Sequence, residues 1–193
     1  MAKLAGSVPT FPQANALQAT QDRYLEKFFL SDCDLMTAFY YLVQSEDNVE
    51  PGLAHVGTPA ILKTARFGYD GKGQAKVVKP PDAIAAFRSF GRVPCILEGF
   101  VDFSFEASVV AARGRDGSFA AYDPPENYHA DHILRRSTVP SRLSPAQNAE
   151  AKAIAKRIAD ALDYVGVLAV ELFVRKDGAL LVNEIAPRVH NSG

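Results

Sequence analysis

The sequence contains little cysteine, no excess of either charge and no long hydrophobic run. Cys33 and Cys95 are too few for a disulfide framework, which fits a reducing intracellular compartment. A formal net charge of −1 excludes a nucleic-acid binder that relies on bulk positive charge, although a local groove remains possible. The most apolar run, residues 165–174, is too short to span a membrane and contains Glu171. These absences predict a soluble, cytoplasmic protein without a nucleic-acid or membrane partner.

The chain is long enough, at 193 residues, to form one domain or two small ones with a real core. Residues 1–13, which contain two prolines, are predicted to be a linker or a truncated end. Apolar residues at helical spacing predict one amphipathic helix over residues 16–30. A second helix is predicted from Ser144-Pro145-Ala146-Gln147 to Leu162, because these four residues form a capping box with proline at the first helical position.

A glycine-rich loop, residues 68–74, lies between two short apolar runs and has a lysine on either side of its start. Glycines let backbone N–H groups approach an anion, and Lys63 and Lys72 add positive charge, so the segment suggests phosphate binding. It matches neither common phosphate motif: Gln74 stands where a Walker loop continues with lysine, and Lys76 where a dinucleotide fingerprint needs glycine. A hairpin loop whose glycines serve tight turns explains the pattern equally well.

Two glutamates are expected to face each other in the last hairpin of the sequence. If Asp177-Gly178 forms a two-residue turn, residues whose numbers add to 355 stand opposite each other, and Glu171 then faces Glu184. Two like charges across a ladder are destabilising unless something compensates them, and Mg²⁺ bound with a nucleotide's phosphates would do so. The alternative is a longer turn, a register shifted by one residue and one glutamate that reaches solvent.

Further polar residues occur at the ends of predicted strands. Arg188, His190 and Asn191 follow the last strand, and arginine is suited to binding a carboxylate or a phosphate with two hydrogen bonds. His190 taken alone is more often a structural histidine, but Arg188, Asn191 and the facing glutamates favour a functional role. Glu98 sits where a buried strand ends. The polar residues 127–132 are predicted to form a loop, whose two histidines are explained as well by structure as by function.

These motifs together resemble those of the ATP-grasp ligases, and more narrowly the 5-(carboxyamino)imidazole ribonucleotide synthetases of purine biosynthesis. The resemblance covers about residues 14–193 and rests on the loop GYDGKGQ combined with NEIAPRVHNSG. It implies an α+β fold in which two subdomains with antiparallel sheets grip ATP. The first would span residues 14–101, with a lid loop over 66–74, and the second residues 102–193.

The family resemblance also implies a reaction and its partners. Bicarbonate would be phosphorylated by ATP, with Mg²⁺, to carboxyphosphate, which would then carboxylate 5-aminoimidazole ribonucleotide and leave ADP and phosphate. Members of the family carry a nucleotide-fold domain before this region and further chain after it, so the resemblance implies a fragment of an enzyme that is a homodimer when full length. The alternatives are an ATP-grasp ligase for another carboxylate and a non-catalytic ATP-binding module.

Individual roles are carried over from the family by position. Glu171 and Glu184 match its metal carboxylates. The residues implied in catalysis, around bicarbonate, carboxyphosphate and the ribonucleotide, are Tyr69, Lys72, Arg188, His190 and Asn191. The residues implied in nucleotide binding are Lys63 for the phosphates, the lid residues Gly68, Tyr69, Asp70, Gly71, Lys72, Gly73 and Gln74, the adenine linker Glu98, Gly99, Phe100 and Val101, Glu106 for the ribose, His129, Asn183 and Glu184.

Overall fold

The structure, a computed structural model, describes residues 8–68 and 72–193. Within these two ranges no helix is both long and apolar enough to cross a membrane. The helices are α1 (Ala14–Thr20), α2 (Arg23–Asp32), α3 (Val49–Val56), α4 (Pro80–Ser89) and α5 (Pro145–Ala161), with a 3-10 turn at Glu46–Asn48. The strands are β1 (Tyr40–Val43), β2 (Ala60–Thr64), β3 (Gln74–Val77), β4 (Cys95–Gly99), β5 (Phe103–Arg113), β6 (Phe119–Ala121), β7 (Glu126–Ala130), β8 (Ile133–Thr138), β9 (Gly166–Arg175) and β10 (Leu180–Ala186).

The first sheet has four strands in the order β1-β4-β2-β3, and all its pairs are antiparallel. Leu62 and Leu97 are buried on one face, in a core that includes residues of α3 and α4. Because successive side chains of a strand point to opposite faces, the neighbouring Lys63 and Glu98 are directed to the other face. The period-two pattern therefore directs the Lys63 and Glu98 side chains away from α3 and α4.

The second sheet has the order β10-β9-β5-β7-β8, with β6 paired to β5, and is also antiparallel. Helix α5 packs its buried residues Ala155 and Ile158 into the same core as Leu168 of β9. This helix begins as predicted: the Gln147 N–H donates to Ser144 Oγ at 3.2 Å, and the Ser144 N–H donates to Gln147 Oε1 at 2.9 Å. The predicted α+β fold with antiparallel sheets is confirmed.

Two of the predicted elements were wrong. The single helix predicted over residues 16–30 is two helices, because the Asp22 side chain accepts the N–H groups of Tyr24 and Leu25 and so starts α2 as its own N-cap. The loop predicted over residues 127–132 is largely strand, since β7 pairs with both β5 and β8. Long-range pairing decided the second case, where local polarity had suggested a loop.

Candidate functional site

Glu184 stands opposite Glu171 across the β9–β10 ladder, as predicted. The turn that joins these strands is longer than predicted, since the Arg175 N–H donates to Ala179 O at 2.9 Å and the register near the turn is shifted by one residue. A β-bulge at Asn183 then inserts one extra residue into β10 and restores the opposition. The facing glutamates are therefore confirmed, whereas the two-residue turn from which they were predicted was wrong.

Each of the two carboxylates accepts a hydrogen bond from a cationic or imidazole side chain. Arg23 Nη1 lies 3.0 Å from Glu184 Oε2, and His190 Nε2 lies 2.9 Å from Glu171 Oε1. The Ser192 backbone N–H donates to His190 Nδ1 at 3.3 Å, so Nδ1 is an acceptor and the proton sits on Nε2, which donates to Glu171. His190, which is 8% exposed, thus fixes the position of the Glu171 carboxylate through this hydrogen bond.

A chain of hydrogen bonds continues from His190 into the second sheet. The Ser192 hydroxyl is 2.7 Å from His190 Nδ1 and 2.7 Å from the hydroxyl of Ser108. The Asn127 amide donates to Ser108 Oγ at 2.8 Å, and the Ser137 hydroxyl donates to Asn127 Oδ1 at 2.8 Å. At one end of this chain the Asn127 amide N–H donates, and at the other end His190 Nδ1 accepts, so the two serine hydroxyls between them donate toward His190. The imidazole ring of His190 is therefore held in one orientation.

Replacing Ser108 with alanine is expected to lower the free energy of unfolding by about 1–3 kcal/mol, because the buried Asn127 amide loses its acceptor. Chemical denaturation of the complete protein measures the change. Ser89→Ala is the matched control, since Ser89 is exposed on α4 and its loss should cost less than about 0.5 kcal/mol. Equal losses in the two variants would contradict the role given to the buried chain.

Lys63 and Glu98 form an ion pair on the inner face of the first sheet, with Lys63 Nζ 2.8 Å from Glu98 Oε2. Burial alone would raise the pKa of Glu98, but Lys27 and Lys63 outweigh it and lower that pKa to about 2. Burial lowers the pKa of Lys27 in turn. The pKa of Glu26 is raised to about 8 by burial and by the charge of Glu184. Ionisable side chains buried on α2 therefore interact with residues of both sheets.

A polar cleft of about 350 Å³ opens between the sheets, within the size range of small-molecule sites. The predicted residues that line it are Lys63, Gly68, Lys72, Gly73, Gln74, Glu106, His129, Glu171, Asn183, Glu184, Arg188, His190 and Asn191. The residues that line it and were not predicted are Arg23, His132, Ile133 and Leu134. The predicted residues Tyr69, Asp70 and Gly71 lie outside the described part of the chain.

The predicted adenine linker divides between two environments. The Glu98 side chain turns inward to Lys63, while Gly99, Phe100 and Val101 line a separate, larger cavity of about 1250 Å³. The Gly99 N–H donates to the carbonyl of Phe39, and the Phe100 N–H donates to the carbonyl of Pro59. These two N–H groups are therefore used within the protein, and the linker's role toward adenine stays a prediction.

The end of the lid loop touches the second sheet. Gln74 Nε2 lies 2.9 Å from His132 Nδ1, and His129 Nδ1 lies 2.6 Å from Glu106 Oε2 at the same mouth of the cleft. Gly73 has a φ of +70°, and a Cβ there would come within 2.7 Å of the Thr64 hydroxyl. Glycine is required at this position by conformation and by space.

The residues of the cleft fit a nucleotide accompanied by Mg²⁺. In the described ranges no group of three or more His, Cys, Asp or Glu residues could hold a metal. Glu171 and Glu184 together fit Mg²⁺, which commonly takes one or two carboxylates and completes its shell with phosphate oxygens and water. Arg23, Lys63 and Arg188 line the same cleft and supply the positive charge that phosphates require.

Comparisons with known proteins agree with this chemistry. A family model described as "ATP-grasp domain" matches residues 28–193. The N5-carboxyaminoimidazole ribonucleotide synthase of Brucella melitensis is 47% identical over 193 residues, which cover 99% of this chain and 53% of that protein. The crystal structure of N5-carboxyaminoimidazole ribonucleotide synthetase from Thermus thermophilus has a TM-score of 0.92 at 44% identity, covering 100% of this chain and 52% of its own.

A more distant structure carries ligands. The N5-carboxyaminoimidazole synthase from Aspergillus clavatus, in complex with ADP and 5-aminoimidazole ribonucleotide, has a TM-score of 0.90 at 25% identity, covering 100% of this chain and 50% of its own. The chain spans about half the length of the relatives it matches. Because the family model covers most of the sequence, the chain belongs to the ATP-grasp family, and its resemblance to the N5-carboxyaminoimidazole ribonucleotide synthases within that family is confirmed.

Proposed function

We propose that the complete protein is a carbon–nitrogen ligase of purine biosynthesis that works as a cytoplasmic homodimer. It carboxylates 5-aminoimidazole ribonucleotide with bicarbonate, through carboxyphosphate, and releases 5-(carboxyamino)imidazole ribonucleotide, ADP and phosphate. The observation that carries this proposal is the opposition of Glu171 and Glu184 in a cleft that Lys63 and the end of a glycine-rich loop also line. The ADP and ribonucleotide bound by the related Aspergillus clavatus protein support it further.

The nucleotide end of the proposed site takes residues from both sheets and from α2. Arg23 and Lys63 bind the phosphates, and Glu106, hydrogen-bonded to His129, binds the ribose hydroxyls. Glu98 holds the Lys63 ammonium group at the edge of the cleft, because a charge-assisted hydrogen bond to a buried carboxylate restricts the long lysine side chain. The phosphates therefore meet a fixed positive charge.

The metal end of the proposed site is the bulged hairpin. Glu171 and Glu184 would hold Mg²⁺, and His190 and Arg23 orient one carboxylate each through the hydrogen bonds described above. A bound Mg²⁺ would supply positive charge to the phosphate oxygens.

The acceptor end is formed by Arg188 and Asn191, both exposed, together with Lys72, which lines the same cleft. Tyr69 is assigned to this end only by its position in the family motif. In the first step a bicarbonate oxygen attacks the γ-phosphorus and ADP leaves. In the second step the amine nitrogen attacks the carboxyphosphate carbon, phosphate leaves and the amine loses a proton. Closure of the lid excludes water, which would otherwise hydrolyse carboxyphosphate.

ADP formation by the complete protein, measured with and without each substrate, tests this function. We expect full ADP release only when both bicarbonate and 5-aminoimidazole ribonucleotide are present. Arg188→Ala is expected to uncouple the reaction, so that ADP is formed without carboxylated product, because the carboxyphosphate loses a cationic partner. ADP release driven by a different carboxylate, or nucleotide binding without any phosphate release, would contradict the proposal.

A further inference from the structure

Strand β10 lies at the edge of the second sheet, and in the described ranges its outer side meets a single bridge, between Val182 and Thr37, where the Val182 N–H donates to the carbonyl of Met36 at 2.8 Å. The bulge leaves further backbone groups of β10 without a ladder partner, because the extra residue does not pair with β9. Buried backbone N–H and C=O groups need hydrogen-bond partners, and the groups in question belong to the segment that carries Glu184. How these groups are satisfied decides whether the bulge persists.

The other partners, for the carbonyls of Val182 and Asn183 and for the N–H of Ile185, come from two adjacent side chains of α2. Lys27 Nζ donates to the carbonyl of Asn183 at 2.7 Å and to that of Val182 at 3.4 Å. Glu26 Oε1 accepts the N–H of Ile185 at 2.6 Å. Lys27 is 1% exposed and Glu26 is 3% exposed, so both contacts are shielded from water. The two side chains therefore bind the backbone on both sides of Glu184.

We propose that Glu26 and Lys27 are positioning residues that hold the Asn183 bulge and thereby keep Glu184 opposite Glu171. Without the bulge, the register near the turn would continue along β10 and Glu184 would move to the other face of the sheet. The inference rests on the proposed function, because that function gives the two facing carboxylates their metal. Neither side chain contacts the reacting atoms.

Polar side chains at these two buried positions are hard to explain by stability alone. Well-packed apolar residues of the same volume would avoid the free energy of desolvation that the buried amine and carboxyl groups cost. An apolar pair, however, could neither donate to the two carbonyls nor accept from Ile185. Arg23, one turn earlier on α2, binds the Glu184 carboxylate itself. One helix thus holds both the backbone and the side chain of Glu184.

Binding of Mn²⁺ to the complete protein, with a non-hydrolysable ATP analogue present, tests the inference without turnover. We expect Lys27→Met and Glu26→Leu to weaken Mn²⁺ binding by roughly 10- to 100-fold, as losses of supporting hydrogen bonds around metal ligands do. Hydrogen exchange of the Ile185 amide should become faster in both variants. Glu26→Gln keeps an acceptor for Ile185 and should stay close to the wild type, as should Lys156→Met on the exposed face of α5.

Folded Lys27→Met and Glu26→Leu proteins with wild-type Mn²⁺ affinity and unchanged exchange at Ile185 would overturn the inference. If Lys27→Met does not fold, the comparison of Glu26→Leu with Glu26→Gln decides, and equal Mn²⁺ affinity in these two would overturn it. If the wild type binds Mn²⁺ with the analogue and the variants lose it, while no substrate-dependent ADP release occurs, the proposed function fails and the positioning role stands.

Discussion

Glu184→Gln is expected to reduce substrate-dependent ADP formation by the complete protein by roughly 100- to 1,000-fold, the cost of removing a group that stabilises charge in the transition state. Glutamine keeps the volume and an oxygen acceptor for Arg23 but removes the negative charge that Mg²⁺ needs. Glu171→Gln should behave similarly, because the two carboxylates face each other and act together. The measurement is the rate of ADP release as a function of Mg²⁺ concentration.

The control for this pair is Glu150→Gln, which changes an exposed glutamate on α5 and should leave the rate unchanged. The half-saturating Mg²⁺ concentration should rise in both site variants. An unchanged Mg²⁺ dependence in Glu171→Gln and in Glu184→Gln would show that the facing carboxylates do not hold the metal. The repulsion between the two carboxylates would then be offset by Arg23 and His190 alone.

Glu98→Gln is expected to lower the free energy of unfolding by about 3–5 kcal/mol, the usual cost of breaking a buried ion pair by removing one partner. Glu98 is 4% exposed, and its loss leaves the charges of Lys63 and Lys27 uncompensated on the inner face of the first sheet. Chemical denaturation of the complete protein measures the loss. Glu46→Gln, which breaks an ion pair with Arg88 at the surface, should change stability little.

The same ion pair predicts how stability changes in acid. The pKa of Glu98 is lowered from 4.5 to about 2, so the carboxylate binds protons less readily in the folded than in the unfolded protein. Its contribution of about 3 kcal/mol is therefore fully present above pH 4.5 and is lost as the pH falls through 2. The stability of Glu98→Gln should fall less steeply over this range, and equal slopes would contradict the assignment.

Much of the architecture followed from local chemistry. The start of α5 was predictable because Ser144, Pro145 and Gln147 satisfy the first backbone N–H groups of the helix within one turn of sequence. The facing glutamates were predictable because a hairpin pairs residues that are close in the chain, so a small set of turns limits the register. Even there the turn was wrong, and the bulge at Asn183 corrected the outcome.

The sequence by itself determined the α+β class, the family motifs and most of the residues that line the polar cleft. The tertiary structure alone decided that Arg23, Glu26 and Lys27 support Glu184. It also decided that Ser108 is connected to His190 by hydrogen bonds through Ser192. No local pattern marks these contacts, because they join α2 to β10 and β5 to the chain's last residues across long sequence separations. Burial makes such contacts strong, and burial is a property of the packed sheets rather than of any one segment.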